Sequence, residues 1–161
     1  MLNFRKLEYD DLEFLNEVRN LYSEEFLHDS RNFSLSETQS WFLQFKPDYY
    51  IIEEDKNKIG YFRISNYSEV NSNLYIGADI HPNFKGKGYG FISYKEFIPI
   101  LFEKYNLNKI SLEVLSTNNI AISLYNKLGF KLEGVKRQEV NKNGRYVDSI
   151  IMSILKEEYE K

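Results

Sequence analysis

The amino-acid sequence predicts a mixed α/β fold. Three observations lead to it. Apolar residues switch repeatedly between the two-residue period of a strand and the 3.6-residue period of a helix, a glycine-rich run sits where one such strand hands over to a helix, and Asn143-Gly144 joins two final strand-like segments as a hairpin. At 161 residues the chain has the size of one domain, so a single one with a full apolar core is expected over 1–161.

Taken in order, residues 3–7 alternate as a first strand, and Asp10 or Asp11 is placed to cap a helix carrying Leu12, Leu15, Val18 and Leu21. Ser36 followed by Glu37 opens a second helical pattern through Trp41, Phe42 and Phe45, which Pro47 ends. Strands then take over: Tyr49 to Glu53 and Lys58 to Ile64 flank the turn Asp55-Lys56-Asn57, and a further strand, Leu74-Tyr75-Ile76-Gly77-Ala78-Asp79, reaches Ile80. A helix from about Gly88 to Tyr105 repeats Phe91, Tyr94, Phe97, Ile98, Leu101 and Phe102 at helical spacing and contains Pro99, where a bend is expected because proline lacks a backbone donor. Lys109 to Leu115 reads as a strand, Asn118 to Leu128 as a helix stopped by Gly129, and Phe130 to Val140 and Tyr146 to Leu155 as the last two strands.

The run His81-Pro82-Asn83-Phe84-Lys85-Gly86-Lys87-Gly88-Tyr89-Gly90 is the most informative stretch. Glycine leaves backbone N–H groups free to line a concavity, and the following helix adds the positive end of its dipole, so this is a place to hold a phosphate. Its spacing matches neither G-x-x-x-x-G-K-[ST] nor G-x-G-x-x-G. Lys85-x-x-Gly88-x-Gly90 resembles instead the pyrophosphate loop [Q/R]-x-x-G-x-[G/A] of the GNAT family of N-acetyltransferases, with Lys where that family usually has Gln or Arg. The exchange keeps a cation and loses a planar donor, which weakens a coenzyme grip without abolishing it. About thirty residues on, Asn118-Asn119-Ile120-Ala121-Ile122-Ser123-Leu124-Tyr125-Asn126-Lys127-Leu128-Gly129-Phe130 is similar to the same family's N-x-x-A-x-x-L-Y-x-K-x-G-F signature. Together the two motifs cover about residues 73 to 131. The resemblance implies a central, mixed, mostly antiparallel sheet of six or seven strands with helices on both sides, and acetyl-CoA as cosubstrate.

The resemblance also implies roles. The backbone of Lys85, Gly86, Lys87, Gly88, Tyr89 and Gly90 would surround the pyrophosphate, and that of Ala78, Asp79 and Ile80 would pair with the pantetheine arm and polarise the thioester carbonyl. Asn118 would contact the coenzyme, a role that coexists with capping the helix it begins. Tyr125 would return a proton to the departing thiolate, since a phenol stays protonated at neutral pH; packing in the core is its competing role. Glu113, twelve residues before Tyr125, occupies the relation in which one branch carries its general base, while an exposed strand position is the ordinary alternative. Asp79 and His81 are further candidates, acting through a water, and an amine that arrives neutral needs no base.

Composition removes other classes. Cysteine is absent, so neither a disulfide nor an acyl-cysteine intermediate is available, and with only two histidines no metal site is expected. Net charge is −3 and the basic residues are spread along the chain, against a nucleic-acid partner. No apolar stretch reaches the length of a membrane span, so a soluble, cytoplasmic protein is expected. The expected reaction is transfer of acetyl to a primary amine of a small molecule, an amino sugar or a polyamine, by direct attack in a ternary complex. A protein N-terminal or lysine acetyltransferase, a non-catalytic coenzyme A-binding module and a homodimer stay open. Ser23-Glu24-Glu25-Phe26-Leu27-His28-Asp29 groups carboxylates with aromatics as a polyamine site would, or as a solvated helix end does. Val18-Arg19-Asn20 resembles the W-R-N of the spermidine, ribosomal-protein and amino-sugar branches.

Overall fold

Alternate residues of the central strands serve two separate cores. In strand β3 (Asn57–Ser68) Phe62 and Ile64 point into one and Tyr61 into the other, and in β2 (Tyr49–Glu54) Tyr50 and Ile52 oppose Ile51. A computed structural model, describing residues 1–160, shows how these faces are covered. Helix α1 (Leu12–Tyr22) lays Leu12, Leu15, Val18 and Tyr22 on one face, beside α2 (Leu35–Phe45). Helix α3 (Tyr89–Lys104) covers the other with Tyr94, Phe97, Ile98 and Leu101, and α4 (Asn119–Leu128) packs there too.

The seven strands lie in the order β1-β2-β3-β4-β5-β7-β6, with β1 at Asn3–Lys6, β4 at Asn73–Ile80, β5 at Lys109–Leu115, β6 at Lys131–Lys142 and β7 at Arg145–Leu155. Every neighbouring pair is antiparallel except β4 and β5. Those two pair in parallel only over Asn73–Tyr75 with Lys109–Ser111 and then separate. His81 N–H bonds the Ile59 carbonyl on the β3 side at 2.8 Å. Because backbone groups alternate in direction along a strand, Ala78 and Ile80 therefore turn theirs toward the gap left by β5. One of these groups is already engaged, since the Tyr22 hydroxyl donates to the Ile80 carbonyl at 2.5 Å.

Local details differ from the sequence reading in instructive ways. Ser34, not Ser36, caps α2: its Oγ accepts from Glu37 N–H at 3.1 Å while the Glu37 carboxylate accepts from Ser34 N–H at 2.8 Å. Serine at either position satisfies a composition rule, and only the bond shows which one closes the reciprocal pair. Leu21 is exposed and Tyr22 takes the buried place. Asp11 makes no side-chain cap on α1; its buried carboxylate accepts instead from Glu8 N–H at 2.9 Å, closing the preceding turn, and receives two bonds from Arg5 at 2.7 and 2.8 Å and an ion pair from Lys58 at 2.9 Å. Helix α3 runs through Pro99 as one helix. Proline there cannot donate to the Lys95 carbonyl, and the Tyr159 hydroxyl of the short α5 (Lys156–Tyr159) donates to it instead at 3.2 Å. Among the described residues no helix is long and apolar enough to cross a membrane.

Burial pushes the Asp11 carboxyl upward, but hydrogen bonds from Arg5, Lys58 and the Glu8 N–H outweigh it and hold the group at about 2. A depressed carboxyl stabilises the fold above its unfolded value near 3.8 and loses that contribution as pH falls through 2. Asp11→Asn is therefore expected to destabilise by about 3 kcal/mol at neutral pH, since Lys58 loses its ion pair and Arg5 keeps only Glu53. Urea midpoints of parent and variant should converge between pH 4 and pH 2; a constant difference over that range would show that the charge is not what matters.

Candidate active site

The parted strands open into two cavities, one on each face of the sheet. The first, of about 910 Å³, is bounded by the end of β4, the glycine loop and the first turns of α3 and α4. It gathers Ala78, Asp79, Ile80, Lys85, Gly86, Gly88, Tyr89, Gly90, Asn118 and Tyr125, the greater part of the residues that the two sequence motifs single out. Lys87 is not in its wall; its ammonium lies 5.8 Å from the centre of the Phe84 ring.

Loop geometry accounts for the glycines. Gly86 and Gly88 have φ of +73° and +82°, and Gly88 is the residue from which α3 starts. A Cβ at either would meet nothing within 4 Å, so the space beside the backbone is open to a ligand. The N–H groups of the first turn of α3 face it without intrahelical partners, an arrangement suited to a phosphate. Lys85 reaches back across the cavity, its ammonium 4.6 Å from the centre of the Tyr22 ring and 5.4 Å from that of Phe26. The Tyr89 hydroxyl is bonded to Glu54, which anchors the helix start to the β2–β3 hairpin.

At the other end, Asn118 Oδ1 accepts from Ala121 N–H at 3.2 Å, so it caps α4 while its residue also lines the cavity. Tyr125 is buried, its hydroxyl 3.3 Å from that of Tyr94. Burial raises the Tyr125 phenol and the bond to Tyr94 works the other way, so it remains protonated at neutral pH. Burial holds Tyr94 further up still.

The second cavity, of about 530 Å³, lies under α1, α2 and the loop between them. Phe33, Trp41, Tyr49 and Tyr61 supply aromatic walls; Asp29, Glu37 and Asp79 supply carboxylates, with Arg19, Arg63 and His28 beside them. Asp79 belongs to both cavities. Its Oδ2 lies 3.5 Å from Arg63 Nε, and both of these buried atoms lack a hydrogen-bond partner. The Arg63 guanidinium rests over β4 because residue 77 is glycine: a Cβ there would come within 2.7 Å of it. Hydrogen bonds from Arg31 hold the Asp29 carboxyl at about 2, so it is charged at neutral pH.

The wall formed by residues 23–34 is irregular but densely bonded. Arg19 donates to the Arg31 and Asp29 carbonyls at 2.7 and 3.3 Å, Asn16 and Asn20 each donate to the Phe33 carbonyl at 2.8 Å, and Lys142 binds the Ser23 and Leu27 carbonyls and Ser30 Oγ. This is what Val18-Arg19-Asn20 does locally: it is the scaffold of a loop. Glu113 is in neither cavity wall. It sits on the α1 side of β5, with Oε1 2.7 Å from Lys136 Nζ and Oε2 accepting from Ser149 Oγ at 3.2 Å. His28, marked in the sequence only as part of the 23–29 cluster, and Ser149, which no motif marks, touch one another here: Nε2 to Oγ is 2.7 Å. His81 lies outside both walls, Nδ1 accepting from Asn83 N–H at 3.1 Å and its ring stacked on Phe14.

A model of the acetyltransferase (GNAT) family matches residues 15–130, and the chain belongs to that family. The spermidine N(1)-acetyltransferase of Vibrio cholerae is 32% identical over 98% of this chain and 95% of its own length. The spermidine N(1)-acetyltransferase of Escherichia coli K12 is 32% identical over 68% of this chain, and an uncharacterized N-acetyltransferase p20 of Bacillus licheniformis 33% identical over 68%. These two matches span only about three fifths of the relatives, 59% and 61% of their lengths. A crystal structure of the V. cholerae spermidine N-acetyltransferase in complex with CoA and spermine superposes with a TM-score of 0.91 at 27% identity, covering 99% of this chain and 98% of that one. The mixed sheet flanked by helices on both faces is the fold of that neighbour.

Gly88→Val places a branched side chain at φ +82°, which costs about 1–3 kcal/mol of backbone strain and fills the open space beside the loop. Calorimetric titration with coenzyme A is expected to show affinity reduced at least tenfold while the protein still unfolds cooperatively. Unchanged affinity would mean that this loop holds no phosphate.

Proposed function

We propose that this family member transfers the acetyl group of acetyl-CoA to a primary amine of a polyamine, by direct attack within a ternary complex. One observation carries the reading: a glycine-rich loop at a helix start opens into one cavity, an aromatic and acidic chamber forms the other, and the two share Asp79 on the stretch of β4 beyond its last pair with β5.

On the coenzyme side, the N–H groups around Gly86 and Gly88 would hold the pyrophosphate. The gap beside β4 would accept the pantetheine arm as a partial strand, through the backbone of Ala78 and the Ile80 N–H. Asp79 turns its backbone toward β3, so its contribution is the side chain. Tyr125 would donate its proton to sulfur as the C–S bond breaks, and Tyr94 keeps its ring and hydroxyl in place.

On the acceptor side, a polyamine offers ammonium groups spaced along an apolar chain. Carboxylates at Asp29 and Asp79 suit the charges, and Phe33, Trp41, Tyr49 and Tyr61 suit both the methylenes and the cations that pass over their faces. An amino sugar would ask for a ring of polar donors and acceptors, which this chamber offers less well. The crystal complex of the V. cholerae relative with spermine supports the same substrate class.

Free-thiol release from acetyl-CoA should be fastest with spermidine and spermine in a panel that also contains amino sugars, amino acids and peptide N-termini. Release confined to amino sugars or peptides would displace the polyamine reading. Tyr125→Phe is expected to lower kcat about 10²- to 10⁴-fold with coenzyme affinity nearly unchanged. An unaltered kcat would remove Tyr125 from proton transfer.

A further inference from the structure

We infer that His28 is the group that takes the proton from the incoming ammonium, with Ser149 and Glu113 holding its ring in the receptive form. The inference rests on the acetyl-transfer reading above and names a catalytic residue for it.

Hydrogen-bond bookkeeping determines the tautomer. Glu113 is an acceptor, so the single Ser149 hydroxyl proton goes to Glu113 Oε2 at 3.2 Å. Ser149 Oγ must then receive from His28 Nε2 at 2.7 Å, which places the ring proton on Nε2. Nδ1 is left with its lone pair, has no hydrogen-bond partner among the described residues, and belongs to a side chain in the wall of the acceptor chamber. The relay is rigid at its base, since Ser149 is fully buried between β5 and β6 and Lys136 binds the other Glu113 oxygen at 2.7 Å. It is rigid at its tip because Arg19, Asn20 and Lys142 hold the loop that carries His28.

Position supports the role. The last β4–β5 pair is Tyr75 with Ser111, so Glu113, two residues further along β5, faces Gly77 across the mouth of the gap. Two competing bases are occupied, since both Glu113 oxygens are bonded and His81 has spent its Nδ1 on Asn83, while Asp79 Oδ2 faces the Arg63 guanidinium at 3.5 Å without a hydrogen bond. The charges around His28 are Glu113 on β5, Arg63 on β3, Asp79 on β4, Lys136 and Lys142 on β6, Arg19 on α1, Glu37 on α2 and Asp29 on its own loop. Burial, with Arg63, Lys142 and Lys136, lowers the imidazole against the opposing pull of Glu113, so it is neutral and able to accept a proton at pH 7.

The step balances. Nδ1 takes one proton from R–NH₃⁺, the freed nitrogen lone pair forms the bond to the acetyl carbon, and the C–S bond breaks. The second nitrogen proton replaces the one that Tyr125 gives to sulfur, and the imidazolium discharges its own proton to solvent.

The test is the pH profile of kcat/KM for spermidine. The parent should lose activity as pH falls through the range in which imidazole protonates, below about 6.5. His28→Gln keeps a donor toward Ser149 but has no titrating group. It should lower kcat about 10²- to 10⁴-fold, abolish that acid limb and leave coenzyme affinity unchanged. His28→Ala should be equally slow and regain rate in added imidazole. Retention of the parental kcat and acid limb by His28→Gln, or failure of imidazole to restore His28→Ala, would overturn the inference. A parent enzyme that releases no thiol with any polyamine would overturn the acceptor reading itself, which is a distinct result from an active parent whose His28 variants match it.

Discussion

The separation of β4 from β5 is the constraint around which the molecule is arranged. Two parallel strands that pair for three residues and then diverge leave backbone N–H and C=O groups of β4 facing a gap inside the sheet. Buried backbone groups demand partners, so a fold can keep such a gap only if something fills it. Here the Tyr22 hydroxyl takes the Ile80 carbonyl, and the rest of the edge is available to a ligand able to behave as a strand. The two cavities, the glycine loop at the end of β4 and the residues of α4 that close the far wall all follow from that split.

Around the gap, the protein spends its polar bonds on irregular backbone. The α1–α2 connection has little regular structure, yet Asn16, Arg19, Asn20 and Lys142 satisfy its carbonyls from two directions. The loop is thereby a rigid wall, with Phe26 lining the first cavity and Leu27, His28 and Asp29 the second. A loop positioned by a stiff scaffold is where specificity belongs, since it can change without altering the cores beneath. The same economy appears at Pro99, where a phenol from the end of the chain replaces the bond that proline removes from α3.

Much of this was legible in the order of residues. Strand and helix order follows from apolar periodicity, and the structure reproduces it with the addition of the short α5. The glycine loop was legible because few side chains tolerate φ above +70°, and Asn118 because an N-cap needs a short acceptor. Less legible were choices between chemically similar neighbours. Ser34 and Ser36 differ only in which can reach Glu37, and Leu21 and Tyr22 only in which faces Ile51 and Tyr61. Lys85 reads as a phosphate cation, but aromatic rings from the end of α1 and the turn that follows it lie beneath its ammonium.

By itself the sequence determined the fold class, the succession of elements and the position of the glycine-rich loop, because each depends on contacts between residues near one another in the chain. Tertiary structure alone decided that Glu113 faces Ser149 and Lys136 outside both cavities, that Asp79 joins those cavities, and that His28 meets the strand carrying Ser149 from 121 residues away. Those relations depend on strand register and on where a long loop is pinned, and neither leaves a local signature: a histidine in a polar turn looks the same whether it faces solvent or a buried hydroxyl.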